Sequence, residues 1–293
     1  FDFVDETMQY VQKGVIDGTI GQDPFAQGHD PAIRLYNYLV GGVVPDNARL
    51  VTKADFVTKA NIDQFWKPSG TPAATPASTT GTAPTFDSMC TPADEGTVKP
   101  IDQQPSKPLR IAVLGLENNP FWIPVKEGTL KAADELKNYN TTVEWIVPGD
   151  QHTADVFGKA IDAAIAKQYD AIATIAGDAG MVPFINKAVD AGIPVATFNS
   201  ETAEKNKRLF FVGADLYLQG QTAGENMCKV LGNKGKVAII TGFFAVEAHE
   251  LRRRFAQARP HRLERIERRH LFRRDGGDLG FEALPLAAER RDI

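Results

Sequence analysis

The feature that most limits the folds open to this chain is a regular alternation, over residues 109–241, of short β-rich runs with longer stretches of helical periodicity. The runs are Leu109–Gly115, Thr142–Val147, Ala171–Ala176, Ile193–Phe198, Leu209–Val212 and Lys236–Thr241. Most are continuously apolar and rich in Val and Ile, the pattern of strands covered on both faces. Between them Phe121, Val125, Ala132 and Leu136 recur at helical spacing, as do Phe157, Ile161, Ala164 and Ile165. Val182, Ile185 and Val189 follow, then Ala223, Met227 and Leu231. Strand, helix, strand repeated in this way predicts a parallel sheet with right-handed crossovers and helices on both faces, a doubly wound α/β domain.

The flanks differ in kind. Lys67–Pro108 holds eight of the 18 prolines and a dense scatter of Ser and Thr, and it reads as a flexible or polyproline-like tether in which Cys90 is a bystander. Residues 1–66 read as a short helix over Thr7–Lys13, the segment IDGTIGQ, a longer helix from Pro24 to Val40 closed by Gly41 and Gly42, and a last strand and helix ending at Phe65 and Trp66. So few elements cannot complete a sheet, so this segment is expected to be the end of something larger. Beyond Arg252 the composition changes abruptly. Residues 1–251 carry 17 Lys and four Arg against 30 acidic residues, whereas residues 252–293 carry 12 Arg, no Lys and seven acidic residues. A shifted reading frame or a poorly ordered extension accounts for that tail better than nucleic-acid binding, because Asp and Glu are interspersed among the arginines and no reading module is present.

Other classes are excluded on simple grounds. With 43% hydrophobic residues and a net charge of −4, neither wholesale disorder nor a strongly basic nucleic-acid binder fits the whole chain. Cys90 and Cys228 cannot form a disulfide framework and lack zinc-site spacing. No apolar run approaches the ~18 to 20 residues a membrane span needs. Residue 1 is Phe, so the chain reads as beginning inside a longer protein.

In open parallel sheets ligands bind beyond the carboxyl ends of the strands, so the residues that follow each run are the candidates. After the first run come Asn118, Asn119, Pro120, Phe121 and Trp122. Asn119 with Pro120 reads as a helix start, and two aromatic rings then stand at the mouth. Rings there can cover the C–H faces of a sugar while an amide serves its hydroxyls. Equally, Phe121 can start the apolar stripe and Trp122 cap the core. Asn199-Ser200-Glu201 and Gly177-Asp178-Ala179-Gly180 follow two other runs, as turn-formers or as a hydroxyl-binding rim. There is no GxGxxG, no GxxxxGK[ST] and no HExxH, and the five histidines are scattered, which predicts surface or capping roles for them.

These pieces resemble a known family. LRIAVLGLENNPFWIPVKEGTLKAADEL (109–136), IPVATFNSE (193–201) and GADLYLQGQTAGENMCKVLGNKGKVAIITG (213–242) are similar to the N-terminal half of a ribose-type periplasmic sugar-binding protein of ABC transporters. Phe1-Asp2, IDGTIGQDPFAQG, LYNYLVGG and VTKANIDQFW resemble that family's C-terminal end. The resemblance implies a two-lobed periplasmic-binding-protein type 1 fold, here incomplete, that closes on a monosaccharide or polyol without chemistry, cofactor or metal. It implies an ABC permease of the inner membrane as partner and an extracytoplasmic location.

Carried over by position, Asn119 would hydrogen-bond the ligand and Phe121 and Trp122 would sandwich its ring. Asn199 and Ser200 stand where ribose-type members often have Asp and Arg, Arg252 matches an arginine of the second lobe, and Asp2 and Gln22 match ligand positions of the closing part of the fold. The order is thus tail (1–66), linker (67–108), N-terminal lobe and start of a second lobe (109–251), Arg-rich tail (252–293). Two tandem modules or a circular permutation both fit it. The ligand-sensing domain of a LacI-like regulator or of a membrane receptor is the other functional reading, and an α/β enzyme a third.

Overall fold

The computed structural model describes residues 2–67, 96–232, 234–235, 237–239 and 252–253, with 91–92, 267–273 and 279–283 described in backbone alone. The chain divides into two compact units, Phe1–Asp215 and Leu216–Ile293.

The first unit opens with α1 (Asp5–Lys13), β1 (Gly18–Ile20), α2 (Pro24–Gly41), β2 (Arg49–Thr52) and β3 (Phe56–Thr58). β4 (Thr91–Pro92) precedes the alternating region. There β5 (Leu109–Leu114), α3 (Trp122–Leu136), β6 (Thr141–Ile146), α4 (Ala154–Ala166), β7 (Ala171–Ile175), α5 (Val182–Asp190), β8 (Val195–Phe198) and β9 (Phe210–Ala214) follow one another as the periodicity predicts. All the strands of the main sheet run parallel, in the order β4-β2-β9-β8-β7-β5-β6. The order reverses at β5, which has β6 on one side and β7 on the other, so the loops after β5 and β7 part to leave a crevice at the strand ends.

β2 supplies what the alternating region lacks. Arg49–Thr52 pairs in parallel register with Phe211–Ala214, so an edge that β9 would otherwise present unpaired is covered by a strand some 160 residues earlier in the chain. α2 follows the same course. Asp23, at φ 48°, caps it by accepting from the Ala26 N–H at 3.1 Å, and Pro24 occupies its first turn. From there the helix packs on α3 and across β5, β7, β8 and β9. Ala32, Ile33, Leu35 and Tyr36 of α2 and Leu50 of β2 are wholly or almost wholly buried in one core with Ile111, Val125, Phe157, Ile172, Phe198 and Phe210.

The two helices meet at small residues. A Cβ at Gly28 would lie 1.8 Å from the Val125 carbonyl oxygen, and one at Gly128 would lie 2.1 Å from that of Phe25. Thr129 Oγ1 uses the closeness to donate to the Gly28 carbonyl at 3.1 Å.

The remaining early elements form a satellite. β1 pairs antiparallel with β3, and Met8, Val11, Val57 and Ile62 make a small core flanked by Phe3, Phe65 and Trp66. Residues 1–66 are therefore divided between this satellite and the main sheet.

Residues 96–108 depart from the tether that their proline content suggests. Asn37 on α2 donates to the Lys99 carbonyl at 3.0 Å and accepts from the Ile101 N–H at 2.9 Å, and Tyr36 donates to the Gln103 carbonyl. The helix offers an amide and a phenol to backbone groups that would otherwise face water, which fixes this part of the segment. The rest of the expected tether, Cys90 included, lies outside the described residues.

In the second unit, α6 spans Leu216–Val230, and β10 (Ala238–Ile239) pairs in parallel with β11 (Glu267–Arg273), itself antiparallel to β12 (Leu279–Ala283). The expected frame change near Arg252 falls mostly outside the described residues. No helix among the described residues is long and apolar enough to cross a membrane.

Candidate functional site

The carboxyl ends of β5, β6, β7, β8 and β2 and the N-terminal end of α2 point the same way, and the candidate polar residues gather there. After β5, Asn119 Oδ1 accepts from the Phe121 N–H at 3.0 Å, and its Nδ2 donates to Asn118 Oδ1 at 2.9 Å. Asn118 in turn donates to the Asp150 carbonyl at 2.9 Å, which ties this loop to the one after β6. Asn119 therefore caps a turn just ahead of α3, two residues before the helix's own N-cap position at Phe121. Its side chain stays exposed.

The two rings separate in role. Trp122 is 6% exposed and packs in the main core, whereas Phe121 is only partly buried, and the two meet edge to face at 5.1 Å between centroids. They do not lie as parallel plates. Phe121, partly buried, packs against the same core from its margin.

After β8, Asn199 takes φ 65°, a left-handed conformation that asparagine tolerates better than most residues. Its backbone N–H donates to the Val212 carbonyl at 3.0 Å. Ser200, 5% exposed, donates from Oγ to Asn199 Oδ1 at 3.0 Å. Glu201 then anchors the loop, pairing with Arg208 and, at 3.3 Å, with Arg49 of β2. Arg49 also lies over the Phe211 ring, 5.3 Å from its centroid.

From the other end of the chain, Gln22 donates to Asp2 Oδ1 at 2.7 Å, and Thr52 donates to the Gln22 carbonyl at 2.7 Å. Gln27 joins the two groups. Its Nε2 donates to the Gln22 carbonyl at 2.7 Å and its Oε1 accepts from Asn199 Nδ2 at 3.1 Å. Asp2, Gln22, Asn199 and Ser200 are thus linked in one hydrogen-bonded row across 172 residues of sequence between Gln27 and Asn199.

Arg252 belongs to the second unit, where its Nε donates to Gln219 Oε1 at 2.8 Å. One residue near the strand ends escaped the sequence reading. Gln27 carries no sequence signal beyond its place one turn inside a capped helix. His152 accepts from the Gly177 N–H at 3.4 Å and packs edge-on to Phe157, a role closer to capping than to catalysis. Among the described residues no group of His, Cys, Asp or Glu could hold a metal ion.

Arranged this way, the face offers amides, a hydroxyl, the Asp2 carboxylate held by Gln22 and one partly buried ring, with no nucleophile paired to a base among the described residues. It suits reversible binding of a neutral polar molecule. The sequence profile of the family described as "Periplasmic binding protein domain" matches residues 112–267, more than half of the chain. The chain belongs to the periplasmic binding protein domain family.

Among its relatives, the xylose/arabinose-binding protein XylF of Sulfolobus acidocaldarius is 31% identical over 65 residues, 22% of this chain and 16% of that protein. The crystal structure of GanP, a glucose-galactose binding protein from Geobacillus stearothermophilus, is 29% identical with a TM-score of 0.51, covering 56% of this chain and 59% of that one. A solute binding protein of an ABC transporter from Burkholderia graminis, in complex with D-arabinose, shares the fold at 24% identity and a TM-score of 0.51, covering 58% of each chain. This periplasmic binding protein chain spans less than two thirds of the length of each of these relatives.

Proposed function

We propose that this chain is part of a solute-binding protein of an ABC transporter that reversibly binds a monosaccharide or polyol, without catalysis, outside the cytoplasmic membrane. The observation that carries the reading is the hydrogen-bonded row from Asp2 and Gln22 through Gln27 to Asn199 and Ser200. Amides and hydroxyls match sugar hydroxyls, which both donate and accept, and the Phe121 ring would cover an apolar sugar face. The sugars named for GanP and for the Sulfolobus protein support the ligand class. Asn119, Phe121, Asn199, Ser200, Asp2 and Gln22 would contact the ligand, and Trp122 would support Phe121 from behind.

For domain order, the proposal is that residues 1–66 end one binding module and residues 109–251 begin another. The pairing of β2 with β9 favours a second reading, in which the tail completes the following lobe as a circular permutation would. Cysteines placed at Leu50 and Val212, which are register partners, distinguish them. A disulfide within one chain supports permutation, and one between chains supports tandem modules that exchange tails.

The function is tested by thermal unfolding with D-glucose, D-galactose, D-xylose, D-arabinose, D-allose and D-ribose. A sugar at about 100 times its dissociation constant stabilises the folded state by ~2.7 kcal/mol. Stabilisation by at least one sugar is expected, and an unchanged midpoint with all six contradicts the reading.

A further inference from the structure

We infer that Gln27 is a positioning residue that sets which way the Asn199 amide faces at the strand ends. This deepens the sugar-binding reading and rests on it for its binding arm alone.

The Gln22 carbonyl has only one possible role. A backbone carbonyl can accept but never donate, and the Gln22 carbonyl accepts from both Gln27 Nε2 and Thr52 Oγ1, each at 2.7 Å. The nitrogen of the Gln27 amide must therefore face Gln22, and its oxygen must face the other way. That oxygen also only accepts, so Asn199 meets it with Nδ2, at 3.1 Å. Asn199 Oδ1 is left on the far side, where the Ser200 hydroxyl donates to it at 3.0 Å. Each group in the row leaves its neighbour one choice.

Burial gives the row its force. Gln27 is fully buried, so water cannot replace either partner at low cost. The backbone of Asn199 is held as well, by its N–H on the Val212 carbonyl at φ 65°. An aspartate at 199 would set oxygen against the Gln27 oxygen, so glutamine at 27 requires a donor at 199. With these partners satisfied, Asn199 retains one N–H and one lone pair. Those two suit one hydroxyl that accepts and another that donates, as on adjacent carbons of a neutral sugar.

Two measurements on the full 293-residue chain test this. In the first, asparagine side-chain amides are labelled with nitrogen-15 and the Asn199 signals are identified by their loss in Asn199→Ala. Slow exchange with water of one Asn199 Nδ2 proton in the sugar-free protein is expected, turning fast in Gln27→Leu. Fast exchange of both protons in the wild type overturns the inference, whether or not any sugar binds.

In the second, the aldose that stabilises the chain most in the panel above is titrated into the wild type, Gln27→Leu, Asn199→Ala and the double variant. Each single change is expected to weaken binding ~10-fold, as loss of one buried hydrogen bond does. The double variant should be no more than ~2-fold weaker than Asn199→Ala, because residues acting through one contact are not additive. Additive losses would show that Gln27 acts independently of Asn199. Should no aldose bind the wild type, the sugar reading fails while the amide exchange still decides the role of Gln27. Should Gln27→Leu not fold, the wild-type exchange rate decides it alone.

Discussion

His29 Nε2 lies 3.3 Å from Glu135 Oε2, joining α2 to α3 across 106 residues of sequence, while its Nδ1 lies 2.9 Å from Asp30 Oδ1. Lys99, at 3.2 Å, and Lys131, at 3.4 Å, close the other side of the same carboxylate. Burial pushes the Glu135 carboxyl up, but the hydrogen bonds from Lys99 and His29 outweigh it and hold the carboxyl below its ordinary value of 4.5. A carboxyl depressed in the folded state stabilises the fold fully above its unfolded value, and that contribution is lost as the pH falls through the folded one.

Acid unfolding followed from pH 6 downward should therefore begin below about pH 4.5, and its slope should be shallower in Glu135→Gln. That variant should also cost ~1 to 3 kcal/mol at neutral pH, because buried His29 loses a charged partner. An unchanged acid slope would contradict this account of the α2–α3 contact.

The Gly28 and Gly128 crossing gives a sharper steric test. Gly28→Ala and Gly128→Ala would each place a methyl group against a backbone carbonyl that cannot rotate away. Each should destabilise the first unit by ~1 to 3 kcal/mol or more in urea unfolding, the usual cost of overpacking. Near-wild-type midpoints in both would mean that α2 does not dock as described.

Glu201 makes a test of loop anchoring. Arg49 and Arg208 both hold it, so Glu201→Ala frees the turn that carries Asn199 and Ser200. Sugar affinity should fall several-fold, and stability should drop by ~1 to 3 kcal/mol because Arg208, 15% exposed, is left without its carboxylate partner. A large loss of stability with unchanged affinity would reverse that assignment.

Stacking at the mouth is tested by Phe121→Ala, which should weaken sugar binding by ~1 to 3 kcal/mol through lost ring contact. Trp122→Phe keeps a core ring and should alter stability more than affinity. Equal affinity losses in both would restore a sandwich of two rings.

The alternation of strands and helices was legible because buried strands and amphipathic helices have different periods. β5 and β7 begin and end within a residue or two of where the apolar runs do. Asn119, Phe121, Asn199 and Ser200 could be marked because strand ends are where open parallel sheets bind ligands.

Other features depended on approach through space. Nothing in the order of residues says that Arg49–Thr52 pairs with Phe211–Ala214, since parallel pairing needs no turn to announce it. Gln27 reads as an ordinary helical residue until Asn199 stands beside it. The inward turn of Trp122 and outward turn of Phe121 are set by core packing, which two adjacent aromatics do not specify. Residues 96–108 look like linker by composition because their hydrogen bonds go to Asn37 and Tyr36, far away in sequence.

If residues 1–66 and the alternating region build one sugar-binding face, calorimetric titration of the best sugar into Gln22→Ala and Asn119→Ala shows it. Each variant should bind more weakly than the wild type, by ~1 to 3 kcal/mol, although the two residues lie almost 100 positions apart. Wild-type affinity in Gln22→Ala, with a loss confined to Asn119→Ala, would contradict a shared face and leave the tail a structural support alone.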